Sequence, residues 1–511
     1  MKIVQTAEKT VIVFLKGMLG NQMKFRIVAV YLLIIFLPFL MINNHSLWID
    51  EAATAFYASQ NNLNNLVVKI SSALSSEAQM PGYLFAMWGF EKILGHGEYL
   101  LRTTNIFFIY LFLYALINSD YSKFVKMFVM VFVMVHPFIW YNMNEARSTI
   151  AMFSLAGTLL IIVKGNIISN KKKYLTIFLL LVGLSLNMLF LFFVPGIILY
   201  VYIIGRDKYS TIKLLLKNWS AQIILALPLF AVIAVYYYYT LKSGSGGMKQ
   251  LPSLGNLAFV FYEFLGMLGL GPPRNTLRNL GTEINYLQFI LVVSFSLLVI
   301  SFSIIALFFL ANRKIIKKYI FHPLFVSAMF ISVLFFVFSF LFSFRFLGRH
   351  LAFVLPFLIF YISELSEELT SLATKNKMIF FFSMSIIFLS FSSIQLRFNP
   401  SYQKDDYKNT INHVLNNYEM SKTVYFVGDM KTAAYYGLDF ENFEKPKNWI
   451  SIRKAKLIIQ GTLNQDLYPG KAIVIYSKKH DLFDIGLEKE LLLKSHKFIP
   501  ILENKDFIIY E

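Results

Sequence analysis

The chain has 511 residues, of which 57% are hydrophobic and only 15% are charged, whereas a soluble protein carries about 25% charged residues. This composition excludes a water-soluble enzyme and predicts a mainly α-helical, polytopic membrane protein. The net charge of +19 is spread over short loops and forms no continuous basic face, so nucleic acid is not a predicted partner. Cysteine is absent, which excludes disulfides and thiolate metal sites.

Apolar runs near 20 residues predict about eleven membrane spans. Lysines and arginines concentrate in alternate loops, and the positive-inside rule then places the N-terminus on the cytoplasmic side. The predicted location is the cell (inner) membrane. Two long segments, 43–102 and 241–285, face outward, where function more often lies. The glycine-interrupted segment 254–270 predicts an interfacial or re-entrant helix. The predicted spans are 26–42, 103–118, 124–141, 149–164, 174–188, 189–205, 219–240, 286–311, 323–344, 350–363 and 378–396.

The composition changes at residue 397, which divides a transmembrane domain (1–396) from a predicted soluble, extracytoplasmic α/β domain (397–511). A helical pattern begins at Asp405 and places Tyr407 and Ile411 on one side. The charged residues Asp405, Asp406 and Lys408 predict a solvated helix face. Short β-rich runs follow at Val424–Val427, Leu457–Ile459, Ala472–Tyr476 and Phe507–Tyr510.

The first outward loop opens with the acidic pair Asp50-Glu51, directly after Trp48 and Ile49. A carboxylate in hydrocarbon costs about 2.5–3.5 kcal/mol or more, so an acidic pair beside a span usually has a function or a partner. The alternative is a helix start, where acidic side chains complement the macrodipole. Position alone leaves both interpretations open.

Arginines lie at the outward ends of several predicted spans. The guanidinium group pairs bidentately with phosphate, which lysine does not, so these arginines predict a phosphate group bound at the outer leaflet. Anchors that reach toward lipid headgroups are the alternative. The outward arginines are Arg102, Arg147, Arg274, Arg278, Arg345 and Arg349.

Taken in order, the polar clusters resemble those of the polytopic GT-C glycosyltransferases, in the branch of the protein O-mannosyltransferases and the aminoarabinose transferase. Bacterial members show Trp-x-Asp-Glu-Ala in the first outer loop, then a His-Pro-Pro element, and late in the chain Arg-Tyr followed by proline. The chain departs from this pattern at Met80, where the family has histidine, and at His350, where it has tyrosine. The matching segments are Trp48–Ala52, Met80–Tyr83, Leu94–Arg102, His136–Arg147 and Arg349–Pro356.

The resemblance implies an enzyme that moves a sugar from a polyprenyl-phosphate donor to a hydroxyl acceptor on the outer face of the membrane. It implies Asp50 as the general base and Glu51 as its orienting partner or as a metal ligand. A single displacement predicts inversion at the anomeric carbon. The residues implied to contact the donor phosphate are Arg349, His350, Arg147, Arg345 and Arg102, and those implied to line the cavity are Glu145 and Tyr83.

Several features stay open at this point. The predicted partners are the lipid bilayer, the donor, and a glycan, lipid or protein acceptor. Some relatives use a divalent metal ion, and the sequence leaves this cofactor undecided. The alternative function is a flippase or transporter of lipid-linked sugars, which should have ionisable residues within its spans and internal repeats. Charges within the predicted spans are scarce, and we find no repeat.

Overall fold

The computed structural model describes residues 35–71, 76–164, 169–206, 209–242, 251–271, 273, 318–371, 375–417, 423–427, 430–437, 449–451, 472–477, 499–503 and 506–511. Some predictions lie outside the described residues. They are the span at 286–311, residues 243–250, 272 and 274–285 of the outward segment 241–285, which include Arg274 and Arg278, and the run Leu457–Ile459.

The described residues up to 398 are predominantly helical. Residues 35–41 are helical, and short 3₁₀ helices lie at Ser76–Gln79, Met188–Phe192 and Gly348–Leu351. The α-helices that follow are α1 (Ile49–Ala58), α2 (Leu63–Ser71), α3 (Pro81–Leu94), α4 (Glu98–Ile117), α5 (Lys123–Val135), α6 (Pro137–Met143), α7 (Thr149–Val163), α8 (Asn170–Leu186), α9 (Phe193–Ile204), α10 (Ile212–Asn218), α11 (Ser220–Lys242), α12 (Leu254–Phe264), α13 (Pro323–Leu341), α14 (Leu355–Ser371) and α15 (Lys375–Phe398).

A helix lies at every predicted span that falls within the described residues, although the first is described only from residue 35. Among these residues, three helices (α4, α11 and α13) are long and apolar enough to cross a membrane, and α5 with α6 meets the same test as a bent pair. Exposed apolar side chains cover the outer surface of α11, for example Leu225 and Val232, as expected of a face in contact with lipid. The prediction of a mainly α, polytopic membrane protein is confirmed. The segment predicted to be interfacial forms α12, which has 11 residues.

The predicted third span is bent by 58° where α5 meets α6. Pro137 has no N–H for an intrahelical hydrogen bond and disfavours helical geometry at the preceding residue. His136 is accordingly extended (φ −77°, ψ 122°), and its Nδ1 accepts a hydrogen bond from the backbone N–H of Phe138 at 3.2 Å. The bend gives α6 a separate direction, and α6 ends at Met143, four residues before Arg147.

The C-terminal part combines helices with one sheet. Helix α16 (Tyr407–Asn417) and helix α17 (Met430–Tyr435) accompany strands β1 (Thr423–Val427), β2 (Trp449–Ser451), β3 (Ala472–Ser477), β4 (Pro500–Glu503) and β5 (Phe507–Tyr510). The strand order is β2-β1-β3-β5-β4. Strand β1 pairs parallel with β2 and β3, and β5 pairs antiparallel with β3 and β4.

The core of this α/β part lies between α16 and the sheet. The buried side chains of Tyr407 and Ile411 pack with Ile475, Phe507 and Ile509, as the helical pattern predicted. Asp405 is also buried, so the prediction that it belongs to a solvated face is wrong. The domain boundary at residue 397 stays a prediction.

Candidate active site

The acidic pair of the first outward loop lies in the first turn of α1. Trp48 precedes the helix, and its backbone N–H donates to Glu51 Oε2 at 3.0 Å. Glu51 therefore satisfies one of the N–H groups that have no partner at a helix start. The helix-start interpretation is right for Glu51, while Asp50, one residue earlier, has a different environment.

The carboxylate of Glu51 is fully buried and accepts five hydrogen bonds. Oε1 accepts from Arg102 Nε and from the backbone N–H of Ala146, both at 3.0 Å. Oε2 accepts from Trp48, from Arg102 Nη2 at 3.1 Å and from Lys404 Nζ at 2.8 Å. Burial alone would raise the pKa of Glu51, but the charges and hydrogen bonds of Arg102 and Lys404 outweigh it and lower the pKa to about 2. Glu51 is therefore held as an anion.

Arg102 lies inside this network and not on a surface. Its side chain is fully buried. Besides the bidentate contact with Glu51, Nη1 donates to Asn43 Oδ1 at 2.7 Å and to the carbonyl of His45 at 2.9 Å, and Nη2 to the carbonyl of Ser46 at 3.3 Å. Its donors are occupied within the protein, so the prediction that Arg102 contacts the donor phosphate is corrected: it fixes the start of the outward loop.

Asn105 fixes the segment that carries Arg147. It follows Arg102 by three residues and so lies on the same side of α4. Its Nδ2 donates to the carbonyls of Asn142 at 3.3 Å, Met143 at 3.1 Å and Glu145 at 2.7 Å. Asn142 and Met143 are the last two residues of α6, where carbonyls lack i+4 partners within the helix, and Glu145 stands two residues before Arg147.

Arg147 connects three segments of the chain. Its Nη1 donates to the backbone carbonyl of Asp50 at 3.1 Å and to Glu77 Oε1 at 2.8 Å. Burial alone would lower the pKa of Arg147, but the carboxylates of Asp50 and Glu77 raise it above the ordinary value. Arg147 is therefore a permanent cation beside Asp50.

Arg349 reaches the same residue from the late motif. It lies in the 3₁₀ helix Gly348–Leu351, and its Nη1 is 2.7 Å from Asp50 Oδ2. His350 Nδ1 lies 2.8 Å from the carbonyl oxygen of Arg345, which ties this short turn together. Whether His350 and Arg345 contact a donor stays a prediction.

The structure thus brings together Asp50, Arg147 and Arg349, which are up to 299 residues apart in the chain. The side chains of Glu145 and Tyr83 are fully buried, and both lie close enough to Arg147 to interact with it electrostatically; that they line the cavity stays a prediction. Glu145 Oε1 is 3.8 Å from Lys404 Nζ, which places Glu145 behind the surface, next to the Glu51 network.

Two residues of the site were missed by the sequence analysis. Glu77, the partner of Arg147, stands three residues before the Met80 motif. Its position so near that motif could have identified this acidic residue as part of the site. Lys404 lies next to Asp405 in a run of charges that the sequence analysis assigned to solvent. Its pKa is lowered, because burial outweighs the attraction of Glu51 and Glu145.

The site residues do not fit a divalent metal ion. Within the described ranges, no group of three or more His, Asp or Glu side chains could hold one. Cationic side chains face the carboxylates: Arg349 faces Asp50, and Arg102 with Lys404 faces Glu51. Glu51 is thus paired with cations and does not belong to a cluster of metal ligands among the described residues, and whether the protein uses a divalent metal ion stays a prediction.

Comparison with known proteins gives a fold. No protein-family model matches the sequence, and no curated protein matches it. The crystal structure of ArnT from Cupriavidus metallidurans bound to undecaprenyl phosphate is similar, with a TM-score of 0.52 and 11% identity over 94% of this chain and 96% of that chain. The apo structure of the same ArnT gives a TM-score of 0.51 and 11% identity over 99% of this chain and 98% of that chain. The fold of this chain is therefore similar to that of ArnT. At 11% identity the likeness establishes the fold alone, and the reaction depends on the residues of the site.

Proposed function

We propose that this chain is a glycosyltransferase that moves a sugar from a polyprenyl-phosphate carrier to a hydroxyl acceptor on the outer face of the cell membrane, with inversion. The observation that carries the proposal is the pairing of a partly exposed Asp50 carboxylate with Arg349 at 2.7 Å, beside Arg147. A general base next to fixed cations is what displacement of a sugar from a phosphate requires.

Accessibility selects Asp50 as the base. Its side chain is 22% exposed, whereas that of Glu77 is 4% exposed and that of Glu51 is inaccessible. Glu77 is paired with Arg147, and Glu51 with Arg102 and Lys404. An acceptor hydroxyl can therefore approach Asp50 more readily than the other two.

The reaction is a single displacement. The Asp50 carboxylate takes the proton of the acceptor hydroxyl while the hydroxyl oxygen bonds to C1 of the sugar. The bond from C1 to the phosphate oxygen breaks on the opposite face, and its electron pair leaves with the lipid phosphate. That phosphate is a stable anion, so the leaving group needs positive charge and not a strong acid.

Arg349 and Arg147 supply this charge. A guanidinium group has five N–H donors in a fixed plane, so Arg349 can bind a phosphate oxygen while it still contacts Asp50. Removal of one such donor typically costs about 10²–10³ in kcat. Arg147, anchored on Glu77, adds a second positive charge that cannot be lost by deprotonation near neutral pH.

Two observations support a lipid-linked donor outside the membrane. The basic loops of the sequence favour an outward position for the segment that carries Asp50, and the similar ArnT was crystallised with undecaprenyl phosphate.

The test compares wild type with Asp50→Asn, using purified protein, a panel of undecaprenyl-phosphate sugars and a membrane extract as acceptor source. The amide keeps the size of the side chain but cannot take the proton, so we expect turnover to fall at least about 10²-fold. Asp120→Asn is the matched control, because Asp120 is exposed and lies far along the chain from the site.

Equal turnover by wild type and Asp50→Asn would remove Asp50 as the base. No turnover of any donor by the wild type would contradict the proposed function itself. The anomeric configuration of the product, read by NMR, tests inversion.

A further inference from the structure

A polar pocket lies between the start of the outward loop and the C-terminal part. Its volume is about 280 Å³, close to the lower end of the range for ligand sites. Asn44, His45 and Ser46 form one side. The other side is formed by Gln403, Lys404, Asp406, Lys408, Asn409 and Asp506.

The charges of this pocket are balanced and engaged. Two lysines face two aspartates, which gives no net charge. Lys404 donates to Glu51, and Lys408 Nζ lies 3.1 Å from Glu98. Asp406 accepts from Asn409 Nδ2 at 2.8 Å. A phosphate or carboxylate ligand would need uncompensated cations, and the residues that line this pocket offer none; Arg397 lines a neighbouring pocket.

The side chains of this pocket that are available to bind a ligand are neutral hydrogen-bonding groups. Within the described part of the chain, the side chains of Asn44, His45 and Gln403 make no hydrogen bond. Burial and the charges of Arg397 and Arg102 lower the pKa of His45, so the imidazole is neutral at pH 7. Two planar amides and a neutral imidazole offer both donors and acceptors, the combination that matches the hydroxyl groups of an uncharged sugar.

Gln403 and Lys404 connect this pocket with two smaller ones. Both residues also line neighbouring pockets that contain Tyr141 and Tyr402. The polar surface therefore continues along the segment from Leu396 to Asn409, and a ligand longer than one sugar unit could follow it, with the tyrosine rings as apolar contacts.

The pocket adjoins the Glu51 network. Lys404 forms part of its wall and bonds Glu51, the residue next to Asp50. The carbonyls of His45 and Ser46, also in the wall, accept from Arg102. A ligand in the pocket is thus held by the same segments that place the base.

We propose that this pocket is a subsite for a neutral sugar unit of a glycan acceptor, separate from the arginines that take the donor phosphate. The inference rests on the proposed function, because the bound sugar is an acceptor only if the protein is a glycosyltransferase. It selects a carbohydrate from the glycan, lipid and protein acceptors that the sequence left open.

Saturation-transfer NMR on the full-length protein in detergent tests the binding directly. The probes are methyl α-D-glucopyranoside, methyl α-D-mannopyranoside, methyl β-D-galactopyranoside and the methyl β-glycoside of N-acetylglucosamine, with inorganic phosphate as the charged competitor. We expect at least one glycoside to bind in the millimolar range and phosphate not to displace it. Gln403→Ala and Asn44→Ala should each weaken that binding about tenfold, whereas the control Asn61→Ala, an exposed residue of the same loop, should not.

Three results would overturn the subsite: no glycoside bound by wild type, binding unchanged in both variants, or displacement of the sugar by phosphate. Retained melting temperatures would show that the variants fold. Because this readout needs no turnover, its failure is distinct from failure of the proposed function, which is measured by donor consumption in wild type.

Discussion

Glu51→Gln tests whether the buried network holds the outward loop in place. The substitution keeps the shape of the side chain but removes the negative charge that faces Arg102 and Lys404, and it puts an N–H₂ donor where a cation donates now. Removal of one partner from a buried ion pair costs about 3–5 kcal/mol, because the other partner keeps an uncompensated charge.

The pKa of Glu51 gives an independent magnitude. Its value of about 2, against an ordinary 4.5, corresponds to roughly 3 kcal/mol at about 1.36 kcal/mol per pKa unit. At about 2.1 cal/mol/K per residue, a loss of 3–5 kcal/mol in a chain of this length lowers the melting temperature by about 3–5 °C. Thermal unfolding in detergent measures the change, with the exposed Glu503→Gln as the control, which should shift it by less than about 1 °C.

The pH dependence separates this cause from a general loss of packing. The folded-state pKa of Glu51 lies below its unfolded value, so the stabilisation is complete above about pH 4.5 and is lost as the pH falls toward about 2. The difference between wild type and Glu51→Gln should therefore narrow over this window. A variant as stable as wild type at pH 7, or a difference that persists unchanged at pH 3, would refute the reasoning.

Three further substitutions test neighbouring contacts. Arg349→Ala should lower kcat about 10²–10³-fold while the melting temperature stays within about 1 °C, since the side chain acts on the leaving phosphate; unaltered kcat would contradict this role. Lys404→Met removes one of the donors to Glu51 and should cost about 1–3 kcal/mol in thermal unfolding, and Lys404→Arg should restore part of it, which a purely steric effect would not predict. Gly348→Ala places a Cβ against the Glu263 carboxylate. Overpacking should lower the free energy of unfolding by about 1–3 kcal/mol, and displacement of the adjacent Arg349 should lower turnover. Stability and turnover equal to those of wild type would show that the turn can accommodate a Cβ.

Hydropathy was sufficient to predict the described helices of the membrane part, because a bilayer requires long apolar segments. The meeting of Asp50 with Arg349 could not come from any local pattern, since 299 residues separate them. Only the order of several weak motifs, and their resemblance to one family, indicated that these side chains share a site.

Arg102 and Lys404 show what the sequence could not supply. An arginine at the outer end of a span has the same local pattern whether it faces a phosphate or a buried carboxylate, and only the position of Glu51 decides between them. Lys404 stands among charged residues that are typical of a solvated surface, yet the adjacent Asp405 is buried and Tyr407 packs against the sheet. Tertiary packing assigned the roles of both cations.

The geometry of one helical turn explains why two adjacent acids have different roles. Consecutive residues of an α-helix are about 100° apart around its axis, so Asp50 and Glu51 cannot face the same environment. Glu51 points inward, where Arg102 and Lys404 keep it ionised and tie α1 to α4 and to the segment before α16. Asp50 then remains at the surface, where Arg349 reaches it. If Asp50 is the base, as proposed, the accessible carboxylate is held in position by its buried neighbour Glu51, and this division accounts for the burial of one carboxylate of the pair.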